Sequence, residues 1–119
     1  MSQIHDAVTE LRNAPGVKGA AVVTNDGLVA ASSLSPDLNP DVISGLSSYL
    51  MMTTNRSLTE GGYGACSKVQ LNATHGKAVF VQLDESFLVV LFDQFAEVAQ
   101  AEHEVDETVM RIRRAAKLT

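Results

Sequence analysis

The sequence predicts an α+β fold, a three-layer α/β/α sandwich in which one five-stranded antiparallel sheet lies between helical layers, in the order α-β-β-α-β-β-β-α. Three observations predict it. Apolar residues recur at helical spacing near both ends of the chain and again in its middle. Five short β-prone runs are separated by turn residues. The last of these runs, Phe87 to Phe92, is apolar on both faces, so it needs cover on both sides and the helices cannot all lie on one face of the sheet. The 119 residues form one domain, residues 1–119, long enough to bury a self-supporting core.

The elements follow in order. Ser2 is placed to cap a first helix whose Ile4, Ala7, Val8, Leu11 and Ala14 share a face, and Pro15-Gly16 stops it. Val17 to Thr24 and Leu28 to Ser33 read as a hairpin around Asn25-Asp26-Gly27, where Gly27 supplies positive φ. Leu34 to Pro40 is a loop. A second helix runs from Asp41 to about Leu58, ended by Gly61, Gly62 and Gly64. Cys66 to Asn72, Ala78 to Leu83 and Phe87 to Phe92 make an antiparallel meander; in the first of them Val69 and Leu71 face one way, and Lys68, Gln70 and Asn72 the other. The last helix is expected from Phe95 to Leu118, with Val98, Ala101, Val105, Val109, Ile112 and Ala116 as its stripe. Its acids come first and its Arg and Lys last, as the helix dipole favours, and the charged run reads as a solvated face.

Composition excludes several function classes. Nine Lys plus Arg against fourteen Asp plus Glu, a net charge of -5, argue against nucleic acid, which requires clustered cations. The longest apolar run, Phe87 to Phe92, falls far short of the roughly twenty residues that cross a bilayer, so no membrane insertion is expected. The amino terminus has no apolar run of signal-peptide length, which places the protein in the cytoplasm. A lone cysteine, Cys66, cannot form an intrachain disulfide, and with His5, His75 and His103 it cannot build a zinc cage without carboxylates.

No catalytic, metal or cofactor site is expected. The serines Ser32, Ser33 and Ser35 have no histidine at a meaningful spacing. His103 and Glu107 read as solvated polar residues rather than a metal pair, and Cys66, on the Lys68-bearing face of its strand, reads as a partly buried structural thiol. Gly61-Gly62-Tyr63-Gly64 lacks the lysine and the following helix of a phosphate loop and is a helix stop. The chain is therefore read as not an enzyme.

The second helix is the most informative segment. Val42 to Asn55 carries no charge over fourteen residues. Val42, Ile43, Leu46, Tyr49 and Leu50 form the arc expected to face the core; opposite lie Ser44, Ser47, Ser48, Met51 and Asn55, a small neutral face with a methionine where a solvated helix would carry Lys or Glu. That face is read as a surface for self-association or partner contact.

Pro15-Gly16-Val17, running through Gly19-Ala20-Ala21-Val22-Val23 to Asp26-Gly27 and Ala30-Ala31-Ser32, resembles the opening of the roadblock/dynein light-chain family, and the element order is similar from end to end. The nearest resemblance is to bacterial MglB-like members, whose fold is roadblock and profilin-like. The resemblance implies a homodimer in which the third strand of each copy pairs with its mate and the second helices lie side by side, serving as a platform for a Ras-like small GTPase. MglB-like proteins stimulate hydrolysis by their GTPase through rearrangement of its own catalytic residues. On that basis Gly45, Ser48 and Met52 of the second helix, with Cys66, Lys68 and Gln70 of the third strand, are assigned to the dimer interface. Ser44, Ser47, Met51, Asn55 and Arg56 are assigned to partner docking, Arg56 as a contact rather than an inserted arginine finger. The alternative is a small-molecule sensor of PAS-like or profilin-like architecture, which requires a cavity with converging polar groups.

Overall fold

The computed structural model describes residues 3–117. Its elements are α1 (Gln3–Leu11), β1 (Val17–Thr24), β2 (Val29–Leu34), α2 (Pro40–Glu60), β3 (Lys68–Ala73), β4 (Gly76–Gln82), β5 (Ser86–Asp93), a single 3-10 turn (Val98–Ala101) and α3 (Glu102–Lys117). The strands form one antiparallel sheet in the spatial order β2-β1-β5-β4-β3, which leaves β2 and β3 at its edges. This is the expected sandwich: α1 and α3 cover one face and α2 the other.

β5 organises both layers because its side chains alternate between two apolar clusters. Leu88, Val90 and Phe92 pack with Ala7, Val8 and Leu11 of α1 and with Val105, Val109 and Ile112 of α3. Phe87 and Val89 pack with Met51 of α2, Phe80 of β4 and Val23 of β1. Leu88, Val89 and Val90 are all fully buried, as a strand covered on both faces must be.

Local signals set the boundaries. Gly27 takes the expected left-handed φ of 94° in the β1–β2 turn. Gly16, at φ 76°, passes so close to the loop after β5 that an added Cβ would lie 2.4 Å from the Cβ of Ala96. The Asn39 side chain caps α2 by accepting from the backbone N–H groups of Asp41 and Val42, and Pro40 occupies the first turn. Just upstream, the Ser35 hydroxyl and then Lys18 hydrogen-bond to Asp37 and hold its carboxyl below the ordinary range. Because the folded value is the lower one, this contribution is present above the ordinary carboxylate value and is lost as pH falls through the folded one.

Three expectations are corrected. The last helix does not start at Phe95: the Asp93 carboxylate accepts from the Phe95 N–H at 2.8 Å, the chain turns, and α3 begins at Glu102 after the 3-10 turn. Thr108 and Ala115 join its buried stripe, whereas Ala116 is exposed. Cys66 is not on the Lys68-bearing face, because it precedes β3 where the chain dips beneath α2, and the strand's alternation does not reach it. The Ser2 cap and Leu118 lie outside the described residues.

Double cover makes a test. Val89→Ala and Val90→Ala should each destabilise the fold by roughly 2 to 3 kcal/mol in urea denaturation, since each removes two buried methyls from a different cluster. Leu91→Ala, at a half-buried position, should cost less in a dilute monomer. A neutral result at either valine would contradict cover on that face.

Candidate functional site

α2 crosses its face of the sheet on a diagonal fixed by two hydrogen bonds. The Ser48 hydroxyl donates to the Asn25 carbonyl at the end of β1 (2.9 Å), and the Asn55 side-chain oxygen accepts from the Cys66 N–H just before β3 (2.8 Å). Between them Met51 is buried against Phe80, Phe87 and Val89. Ser44 and Ser47 are buried too, and the Ser44 hydroxyl is satisfied within the helix by the Asp41 carbonyl.

This overturns the expected orientation of α2. Ser44, Ser47 and Met51, assigned to partner docking, face the core and cannot meet a partner; Val42, Leu46, Tyr49 and Met52 point out, at 53%, 65%, 66% and 52% exposure. The reason is steric. Val23, Phe80, Phe87 and Val89 already fill much of the space above the sheet, so the helix seats itself through Ser44, Ser47 and Met51; of the expected arc, Ile43 and Leu50 pack against the cluster, half-buried, while Val42, Leu46 and Tyr49 are turned outward. The signal was present in the sequence: where neither side of a helix carries charge, both sides are covered, and the side of small residues is the one that approaches its neighbour most closely.

The remaining assignments divide. Asn55 and Arg56 are exposed, although the Asn55 oxygen is engaged by Cys66. Gly45 and Met52 are exposed, as are Lys68 and Gln70 on β3. Ser48 is half-buried and tied to the β1–β2 turn. Cys66, assigned to the dimer interface, is a buried core residue at 3% exposure and is removed from that set.

On the opposite flank of α2 the diagonal leaves a corner of the sheet uncovered. A groove of about 280 Å³ runs there, with Ile43 of α2 above Leu71, Ala78 and Leu91, and with Lys18 and His75 at its rim. Leu71 is 41% exposed. The apolar strip therefore continues from the outward side of α2 across the groove to the edge of the sheet at β3.

The two sheet edges differ. In β2, Ala30 is an extra residue between the pairs Val22↔Ala31 and Val23↔Val29, a bulge that twists the edge, and the Arg12 guanidinium donates to the Leu34 carbonyl at 3.3 Å. β3 pairs with β4 without interruption over Lys68↔Val81 to Ala73↔Gly76, and no bulge or side-chain cap of this kind protects its outer side among the described residues. A second cleft, of about 430 Å³, lies beneath α2 at the other end of the sheet and is lined by Asn25, Ser48, Met51, Asn55, Gln82 and Phe87. Three of its polar side chains are turned to the chain's own backbone, Ser48 to Asn25, Asn55 to Cys66, and the Gln82 amide to the carbonyls of Leu83 and Ser86, and Asp84 also lines it.

The fold is an α+β sandwich with one open sheet edge and a covering helix whose segment 42–55 carries no charge. The Roadblock/LC7 domain family model matches residues 4–92, from α1 through β5, and the chain belongs to that family. It is 34% identical over 92 residues to an uncharacterised protein of Methanocaldococcus jannaschii, covering 77% of this chain and 78% of the relative. In fold it is similar to Myxococcus xanthus MglB, with a TM-score of 0.92 at 11% identity over 100% of this chain and 98% of the other. It is also similar to a Roadblock/LC7 domain from Streptomyces avermitilis, with a TM-score of 0.81 at 20% identity over 98% of each chain.

The seating of α2 is testable at Asn55. Asn55→Ala should leave the Cys66 N–H without its partner and lower stability by about 1 to 3 kcal/mol, whereas Asn55→Asp, which keeps an acceptor, should lose less. Chemical denaturation of both variants checks the order.

Proposed function

We propose that this chain is a non-enzymatic, cytoplasmic, homodimeric regulator and scaffold for a Ras-like small GTPase, whose GTP hydrolysis it stimulates by ordering the GTPase's own catalytic residues. The observation that carries this reading is the outward side of α2, where four large apolar side chains stand exposed in a helix segment without charge. Such a surface requires cover in a water-soluble protein, and it adjoins an open sheet edge. Membership of the Roadblock/LC7 family supports it, as does the resemblance to MglB-like proteins.

The two tasks divide along α2. The groove flank, with Ile43, Leu71, Ala78 and Leu91, suits the second copy, because it is continuous with the β3 edge. The outermost residues Leu46 and Tyr49, with Arg56 beyond them, suit the GTPase. The sensor reading is less well supported, because Ser48, Asn55 and Gln82 in the larger cleft are engaged by the protein's own backbone rather than left converging on a ligand.

Light scattering should return about 25 kDa, twice the 12.7 kDa chain, at micromolar concentration. Added to GTP-loaded Ras-like GTPases of the same organism, the protein should accelerate single-turnover hydrolysis about tenfold or more, roughly 1.4 kcal/mol off the barrier. Leu46→Asp should keep the dimer and lose the stimulation, since a carboxylate without a mate is costly at an interface centre. A monomer would contradict the dimeric reading, and a protein that neither binds nor stimulates any GTPase of the panel would contradict the regulatory one.

A further inference from the structure

The larger cleft beneath α2 is built to accept hydrogen bonds from a cation. Ser48 and Gln82 have spent their donors on the chain itself: the Ser48 hydroxyl donates to the Asn25 carbonyl, and the Gln82 amide donates to the carbonyls of Leu83 and Ser86. What these two side chains keep for the cleft are the lone pairs of Ser48 Oγ and Gln82 Oε1. Asp84 lines the cleft beside them, and among the described residues its carboxylate is neither hydrogen-bonded nor ion-paired. The Asn25 N–H donates to the Glu85 carbonyl at 3.3 Å and so joins the β1–β2 and β4–β5 turns, which places Asp26 and Glu85 in the same acidic rim. No lysine or arginine balances it: Arg56 follows Asn55 on α2, Arg113 donates to the Gln82 carbonyl at 3.1 Å, and neither is part of the lining.

We propose that this cleft receives an arginine side chain of the partner that covers the outward side of α2, an inference that rests on the docking reading above and names the residue type that anchors it. The cleft of about 430 Å³ offers Met51, Met52 and Phe87 to an apolar stem, and Ser48, Gln82 and Asp84 to a polar head. A guanidinium has five N–H donors and no acceptor, so it can use several of these acceptors at once, whereas a lysine ammonium concentrates its charge at one point. A phosphate or carboxylate would meet the Asp84 charge, and an apolar side chain would bury acceptors without partners. The Asn25 and Asn55 side-chain oxygens already accept, from Gln82 and Cys66, which leaves their N–H groups for the backbone carbonyls that accompany a side chain carried by a protein. Met52 belongs both to the cleft and to the outward side of α2, and Tyr49 stands one turn before it, so the two surfaces are continuous.

NMR titration of the nitrogen-15-labelled protein tests this with N-acetyl-arginine methylamide, its lysine counterpart and its neutral citrulline counterpart. The arginine compound should move the amide signals of Met52, Asn55, Gln82 and Asp84 and saturate; the lysine compound should bind more weakly, and the citrulline compound should leave the signals in place. Asp84→Asn should weaken arginine binding by about threefold or more, within the range of a solvent-exposed ion pair. Glu85→Gln removes the same charge one residue away, outside the lining, and should change it by less than about twofold. Asp84 is exposed, so its substitution should leave the fold intact. Equal binding of citrulline, or equal losses in the two variants, overturns recognition of charge at Asp84. Equal binding of lysine overturns the choice of arginine, and shifts absent or confined to other residues overturn the site.

Both variants are then assayed for stimulation of single-turnover hydrolysis with the GTPase panel. Loss in Asp84→Asn alone supports the assignment to the docking partner, and unchanged stimulation overturns it. Absence of stimulation by the unsubstituted protein overturns the regulatory reading, and with it the partner's arginine, while the titration still decides whether the cleft takes a guanidinium.

Discussion

Everything in this molecule follows from a strand that is apolar on both sides. β5 cannot present either face to water, so the chain must supply two covering layers, and it does so with unequal means. On one side α1 and α3 together bring Val8, Leu11, Val105, Val109 and Ile112 and complete a conventional core. On the other side a single helix lies across five strands. One helix is about 10 Å wide and cannot span a sheet of that breadth, so part of the second face is left bare. The groove under Ile43 and the exposure of Leu71 are the geometric remainder of that mismatch.

Most of the architecture was legible in the sequence because it rests on local rules. Gly27 announced the hairpin turn, Pro40 the start of α2, the glycines after Glu60 its end, and the double-sided apolarity of Phe87 to Phe92 the second helical layer. Boundaries moved by one or two residues, except at the end of α1, which stops at Leu11 rather than running to Ala14, and before α3, where a side-chain cap at Asp93 diverted the chain. What the sequence concealed was the rotation of α2 about its own axis. Hydrophobic periodicity locates an apolar arc, and the rule that the arc faces the core assumes a solitary molecule with a roomy core. Here the sheet's own Val23, Phe80, Phe87 and Val89 occupy much of that volume, and the helix buries Met51 and two serines fully while Ile43, Leu50 and Leu58 pack at the margin of the cluster. The same residues that were rightly singled out as unusual were thus assigned to the wrong side.

Cys66 makes the same point on a smaller scale. Alternation along a strand predicts a face only for residues that belong to the strand, and Cys66 stands two positions before β3, fixed by the Asn55 side chain. A side chain eleven residues away in sequence decided where it points, and no pattern within the strand could report that.

The defended edge at β2 has a meaning in the language of polymer growth. A sheet with two open edges is a bifunctional monomer, and each strand it adds exposes another site for the next. The bulge at Ala30 and the guanidinium of Arg12 on the Leu34 carbonyl cap one end, which makes the chain monofunctional. A further strand added at β2 would have to displace the Arg12 guanidinium from the Leu34 carbonyl and accommodate the bulge, so growth through that edge is disfavoured relative to β3.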